Sequence, residues 1–314
     1  MLPLPRALLA LVVGVFLLVP AAGCGGTKKK GKKGGLTVAQ QLEKAEKEST
    51  PDRQAAAYLK VARRQFSSGD KTGAKESAKK AFDRVKGEGD AGQFGPRLVE
   101  VAGFLAEAGD KKLARDALKR ATELAASIDD PVRRASVLAE AGGVYGDKTK
   151  GLADAKAAKD ALAEATKAAD ETDERFRAEA LAAVALGYTR SGLADAASDM
   201  VGRLEEAAKG LEEPRAKAEA LAAAANVKAQ TGKKDDATAL LDEAAKAAKS
   251  VERSESRAYA LLAVATALDA NGGTKEAIAL LKEADKAANK VSEPDAMKTI
   301  VDKVRALTLT LEKK

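Results

Sequence analysis

The chain has 314 residues, with 54 Lys and Arg against 47 Asp and Glu, a single Cys, and neither His nor Trp. Without His it has no Ser-His-Asp or Cys-His nucleophile, no His-ligated zinc and no imidazole titrating near neutral pH, so no catalytic residue, metal ligand or cofactor is expected. Aromatic residues make up only 3% of the chain, so its apolar surface consists of small side chains, and a core built from them needs many closely packed helices.

The net charge of +7 is unevenly spread. Setting aside Arg6 and the five lysines between Cys24 and Gly35 leaves about +1 on residues 36–314. A folded face that tracks phosphates carries a Lys and Arg excess, so nucleic acid is not an expected partner.

Residues 1–23 have the pattern of an export signal: a basic start ending at Arg6, an apolar run from Ala7 to Val19, and Pro20-Ala21-Ala22-Gly23 ahead of Cys24. The apolar run is too short to span a bilayer comfortably. Ala21-Ala22-Gly23-Cys24 resembles the lipobox of bacterial lipoproteins, departing from it at Ala21, where that family usually carries a larger aliphatic residue. The resemblance implies that residues 1–23 are removed and that Cys24 is acylated, giving a palmitate-type membrane anchor. The other reading is an uncleaved anchor helix followed by an unrelated Cys.

Residues 25–35, GGTKKKGKKGG, contain no apolar side chain and form a tether. Lys28, Lys29, Lys30, Lys32 and Lys33 either attract anionic lipid headgroups or keep a solvated spacer extended. Gly25, in place of Asp, follows the Cys. In the lipoprotein pattern this implies the periplasmic face of the outer membrane of a bacterial cell envelope.

From Leu36 onward apolar residues recur at three and four positions, with Gly, Pro or acidic breaks about every twenty residues, which predicts a succession of helices and turns. Residues 36–49 form one helix with Val38, Leu42 and Ala45 on a shared face. Six helix pairs follow. Their first helices align on Tyr58, Leu98, Leu138, Leu181, Leu221 and Leu261, at spacings of 40, 40, 43, 40 and 40. Four residues further on stand Ala62, Ala102, Gly142, Ala185, Ala225 and Ala265, and a residue that is always tiny marks a line where another helix comes close.

The second helices align on Ala74, Ala114, Ala158, Ala197, Ala237 and Ala277. Gly69, Gly109, Gly192, Gly232 and Gly272 fall where first helices end, and Pro51, Pro131, Pro214 and Pro294 fall where helices begin. The third pair has about four extra residues in its turn, from Gly146. Gly87-Glu88-Gly89-Asp90-Ala91-Gly92 is expected to be a linker, since it lacks the Lys-Ser or Lys-Thr of a phosphate loop. Asp130 is expected to cap a helix, and residues 294–314 to form a single closing helix.

Leu181, Ala185, Tyr188, Gly192, Ala197 and Val201 together resemble the tetratricopeptide repeat (TPR), and Leu138, Gly142 and Tyr145 repeat its first half. The family's usual Trp is absent and the period is 40, not the standard 34 or so. The resemblance implies an all-α, right-handed α-solenoid of about six TPR-like repeats over residues 36–314, with single capping helices at both ends. HEAT-type pairs are the nearest structural rival.

In the TPR family the inner groove binds a protein or peptide partner. Carried onto this chain, that implies groove positions at Arg63, Glu107, Asp147, Leu186, Arg190, Asn226, Gln230 and Thr266, with Tyr259 near a rim. The implied function is a membrane-anchored interaction scaffold. The alternative is a stress or desiccation protein without a fixed groove, because residues 156–174, KAAKDALAEATKAADETDE, resemble the Ala/Lys/Glu tracts of late-embryogenesis-abundant proteins.

Overall fold

The computed structural model describes residues 36–313. Cys24 and the five tether lysines lie outside the described residues. The described chain is all-α, with fourteen helices and no strand. It opens with α1 (Val38–Glu46) and continues as six pairs: α2 (Pro51–Ser67) with α3 (Lys71–Val85), α4 (Ala91–Glu107) with α5 (Lys111–Ala125), α6 (Pro131–Gly146) with α7 (Ala155–Asp170), α8 (Glu174–Arg190) with α9 (Ala194–Gly210), α10 (Pro214–Gln230) with α11 (Lys234–Ser250), and α12 (Ser254–Ala270) with α13 (Thr274–Ala288). α14 (Pro294–Leu311) closes the stack.

Local chemistry sets most of these boundaries. Pro51, Pro131, Pro214 and Pro294 occupy first helical positions, where a missing N–H costs nothing. Thr50, Asp130, Glu213 and Glu293 accept bonds from the free N–H groups of those first turns. Within the pairs, Asp70, Asp110 and Asp154 cap α3, α5 and α7. The expected linker at 87–92 is only half a linker, because Asp90 caps α4 and Ala91 and Gly92 are already helical. An Asx cap competes successfully with a glycine-rich stretch once a hydrophobic face follows it.

The turn inside a pair is built the same way five times. Gly69, Gly109, Gly192, Gly232 and Gly272 all take positive φ, and the N–H of the following residue donates back to a carbonyl of the first helix, as from Asp70 to Gln65 (2.9 Å) and from Lys233 to Lys228 (2.8 Å). In the third pair the longer turn puts Ala153 at φ 56, the one described residue other than Gly in that region. The left-handed region crowds an L side chain. Ala153→Gly is therefore expected to stabilise the protein by up to about 1 kcal/mol, read as a raised urea midpoint, and an unchanged or lowered midpoint would contradict that placement.

The stacking shows which layer faces inward. Each second helix packs on its own first helix and on the first helix of the next pair, while first helices also pack on one another from α2 through α12 to α14. Second helices do not approach one another as closely. The first helices therefore form the tighter inner layer of a curved stack and the second helices the wider outer one, the architecture of an α-solenoid.

Between the layers lie the aligned residues. Leu98, Leu181, Leu221 and Leu261 are at most 1% exposed, and Ala62, Ala102, Ala185, Ala225 and Ala265 are fully enclosed. The second-helix alanines Ala74, Ala114, Ala158, Ala197, Ala237 and Ala277 are buried as well. The tract at 156–174 supplies Ala158, Leu162, Ala165 and Ala169 to this core through α7. α1 is shorter than the expected 36–49, and of its expected face Ala45 is buried and Leu42 partly so, while Val38 in the first turn stays exposed.

α6 and α8 approach each other more closely than any other two inner helices, and glycine is the reason. A Cβ on Gly187 would lie 2.6 Å from the carbonyl oxygen of Ala139, and one on Gly146 would lie 2.5 Å from Ser191 Cβ at the end of α8. The Ser191 hydroxyl sits 3.0 Å from the Gly142 carbonyl and ties the two helices together. Gly187→Ala should cost about 1 to 3 kcal/mol through backbone overlap. Gly202→Ala on α9, where nothing lies within 4 Å, should instead add about 0.5 to 1 kcal/mol. Thermal melts of the two variants moving in the same direction would refute the α6–α8 contact.

Candidate functional site: the concave face

The exposed side of the inner helices forms the concave face, and its chemistry changes along the stack. In the first pairs it is charged and internally paired. Arg97 Nε lies 2.9 Å from Asp52, Arg63 lies 2.8 Å from Glu100, and Arg97 reaches Glu100 from the other side. Burial works against the Arg97 charge, but Asp52 and Glu100 more than offset it and hold its pKa above the usual guanidinium value.

Further along stand Glu140 and Glu179, which form no ion pair with a described side chain. Glu140 keeps contact with solvent, yet it stands inside the concavity with protein around it. This loss of solvation raises its pKa, with Arg190 opposing the rise and Glu100 adding to it. Glu179 on α8 is half-buried, and no described side chain forms an ion pair with it. Burial, then Glu219 and Asp130, push its pKa up.

The groove residues implied by the sequence fall into distinct groups here. Arg63, Glu107, Asp147 and Arg190 are already engaged in ion pairs, with Glu100, Lys150, Arg190 and Asp147 respectively. Asp147 also terminates α6 and accepts the Thr149 and Lys150 N–H groups at 2.9 Å. Burial acts against its charge, but these donors outweigh that and hold its pKa low. Its role is to shape the turn.

Asn226 accepts a bond from Asn271 (2.9 Å), and the Thr266 hydroxyl donates to the Leu262 carbonyl (2.8 Å). Leu186 is partly buried against the core, and Gln230 is exposed at the end of α10. Tyr259 has Arg215 and Lys303 each 5.3 Å from its ring centre, so cations already occupy its surroundings. The implied positions thus lie on first helices, and most already have intramolecular partners.

Sequence reasoning passed over Glu100, Glu140, Glu179 and Glu219, and the alanines Ala183, Ala223 and Ala263. The signal was present in the same alignment: Glu100, Glu140, Ala183, Ala223 and Ala263 all stand two residues after the aligned Leu, and Glu179 and Glu219 two before it.

Among the described residues no cluster of His, Cys, Asp or Glu is arranged to hold a metal ion, and no helix is long and apolar enough to cross a membrane. The surface depression along α9, between Asp195, Asp199, Arg203 and Glu206, is open and lies on the outer layer.

No protein-family model and no curated protein sequence matches the chain. Solved structures with a similar course include a tetratricopeptide repeat protein from Parabacteroides merdae ATCC 43184 (14% identity, 85% of this chain and 91% of that one, TM-score 0.37). A Rap protein complexed with competence and sporulation factor has 15% identity over 87% and 80% of the two chains, at a TM-score of 0.37. PilW, a type IV pilus biogenesis factor, has 13% identity over 79% and 98%, at 0.34. The two-layer solenoid assigned to this chain rests on its own helix contacts.

The raised carboxylate pKa values carry a sign. A carboxyl whose pKa is higher in the folded state than in the unfolded one stabilises the fold while protonated, and that contribution is lost as pH rises through its folded pKa. Glu179→Gln is therefore expected to be more stable than the parent at pH 7, with the difference closing as pH falls through the ordinary Glu range near 4.5. Denaturant titrations at pH 7 and pH 4 check this; a parent more stable than the variant at pH 7 would contradict it.

Proposed function

We propose that this chain is a lipid-anchored scaffold of the bacterial cell envelope that holds a protein or peptide partner against the concave face of a TPR-like solenoid. The observation that carries the reading is the arrangement of the two layers, in which six first helices form one continuous inner face. Such a face suits the capture of an elongated segment.

The anchoring half of the reading rests on the sequence. The chain's only Cys follows small residues at the end of an export signal, and the eleven residues after Cys24 have no apolar side chain with which to join a core. Acyl chains of a lipoprotein contribute about 0.8 kcal/mol per buried methylene, enough in combination for stable attachment. Gly25, in place of Asp, favours the periplasmic face of the outer membrane, and the tether lysines favour contact with anionic headgroups.

The test is fractionation of cells fed an alkyne-labelled palmitate. The parent should carry the label and sediment with membranes, and Cys24→Ser should lose both properties. Label-free membrane retention of Cys24→Ser would overturn the lipid anchor.

A further inference from the structure

The near-neutral sum of charges on residues 36–314 hides a division in the outer layer. α3 and α5 together carry ten Lys and Arg against four Asp and Glu, whereas α7, α9, α11 and α13 together carry eleven against fourteen. The excess is placed in register. Counted from the aligned alanines of the second helices, the positions three before, one after and five after are Lys71, Lys75 and Lys79 on α3 and Lys111, Arg115 and Lys119 on α5. In no later pair are all three cationic, and on α9 they are Ala194, Ser198 and Gly202. Steps of four residues put the three on one helical face.

The arginines here are engaged within the fold, Arg84 with Glu46, Arg115 with Asp154 and Arg120 with Glu123. Lys71, Lys75, Lys79, Lys111, Lys112 and Lys119 form no ion pair with a described side chain, and all but the half-buried Lys75 are exposed. A Cβ on Gly109 would lie 3.8 Å from Lys75 Nζ, so the lysines of α3 reach the turn that leads into α5 and the two helices share one basic surface. Like charges one helical turn apart repel, and an anionic layer against them removes that cost.

The chain enters the fold beside these lysines. Arg64, in the last turn of α2, donates to the Leu36 carbonyl (3.2 Å), and the turn that follows α2 leads directly to Lys71. The eleven residues 25–35 precede Leu36, carry five further lysines and reach about 40 Å at full extension. An acyl anchor at Cys24 therefore keeps the start of α3 within that distance of lipid. Ammonium groups on flexible stems suit a fluid layer of headgroup phosphates, which presents no fixed fork to match.

Resting on the lipid-anchor reading above, we propose that the outer face of α3 and α5 is a second membrane contact, in which the six lysines lie against anionic phospholipid headgroups. The first two pairs are held at the bilayer, and the later outer helices, neutral or acidic, are not.

The test uses the mature, acylated protein in vesicles of phosphatidylcholine alone or with about 30% phosphatidylglycerol as the anionic lipid. Thr72 or Thr238, both exposed near the starts of second helices, is replaced by a fluorescent amino acid that serves as donor to a headgroup-labelled lipid. Energy transfer from 72 should rise about twofold or more when phosphatidylglycerol is present and fall back in high salt, with transfer from 238 unchanged. The combined variant Lys71→Gln, Lys75→Gln, Lys79→Gln, Lys111→Gln, Lys112→Gln, Lys119→Gln keeps the tether lysines and should lose the rise. Lys156→Gln, Lys159→Gln, Lys167→Gln on α7 should keep it, with circular dichroism confirming that both variants fold.

No rise at 72, an equal rise at 238, or a rise that survives the six substitutions would overturn the proposal. Flotation reads the anchor separately. Protein that floats with phosphatidylcholine alone but shows no rise at 72 keeps the anchor and overturns this face. Protein that floats only with phosphatidylglycerol, and only with the six lysines present, keeps the face and overturns the anchor, whereas protein that floats with neither overturns both.

Discussion

The close approach of one helix to the next, permitted by a missing or minimal side chain, is the constraint on which the whole stack depends. Each inner helix has a large apolar residue at the aligned position and Ala or Gly one turn later, and both are enclosed between the layers. Alanine contributes little apolar area by itself, but it lets backbones come close enough for many dispersion contacts. Tyr58, Leu98, Leu181, Leu221 and Leu261 then act as regularly spaced plugs in a core otherwise lined with methyl groups. At Gly146 and Gly187 even a methyl group is too large, and there α6 and α8 draw together more tightly than any other inner pair.

This way of packing explains how the stack tolerates a longer turn without losing register. The longer turn from Gly146 to Ala153 tucks Leu152 into the core and keeps its polar groups outside: Asp147 accepts bonds from the turn, Ala153 takes the backbone role that glycine has elsewhere, and Asp154 caps α7 just as Asp70 and Asp110 cap α3 and α5. Arg115 pairs with Asp154 across neighbouring pairs, and Arg190 reaches back to Asp147. Ion pairs bridge neighbouring pairs on both sides of this turn. Arg97 reaches Asp52 and Arg63 reaches Glu100 in the first half, and Lys228 reaches Glu205 and Lys249 reaches Glu283 in the second.

The inner face changes in composition along the stack. In the first pairs ion pairs cover it and fix the charged side chains in place, as between Arg97, Asp52 and Glu100. On α8, α10 and α12 alanines stand at the corresponding positions, with Glu179, Glu219 and Tyr259 two residues before the aligned Leu, Glu219 paired with Arg215 and Tyr259 flanked by Arg215 and Lys303.

The sequence by itself determined the succession of helix pairs, the turn glycines and the Pro and Asp starts, because these depend on local backbone preferences and on a periodicity that any stacked pair must repeat. It did not determine which exposed positions on the inner helices are free. Arg63, Glu107, Asp147 and Arg190 looked like available groove residues, and only the tertiary structure, by bringing Glu100, Lys150 and one another within ion-pairing distance, showed them occupied. Glu140 and Glu179 looked like ordinary solvated carboxylates until the curvature placed protein around them and other acids nearby. Solvation and pairing depend on residues of the neighbouring pair, 37 positions away for Arg63 and Glu100 and 43 for Asp147 and Arg190, and no periodicity along a single helix encodes them.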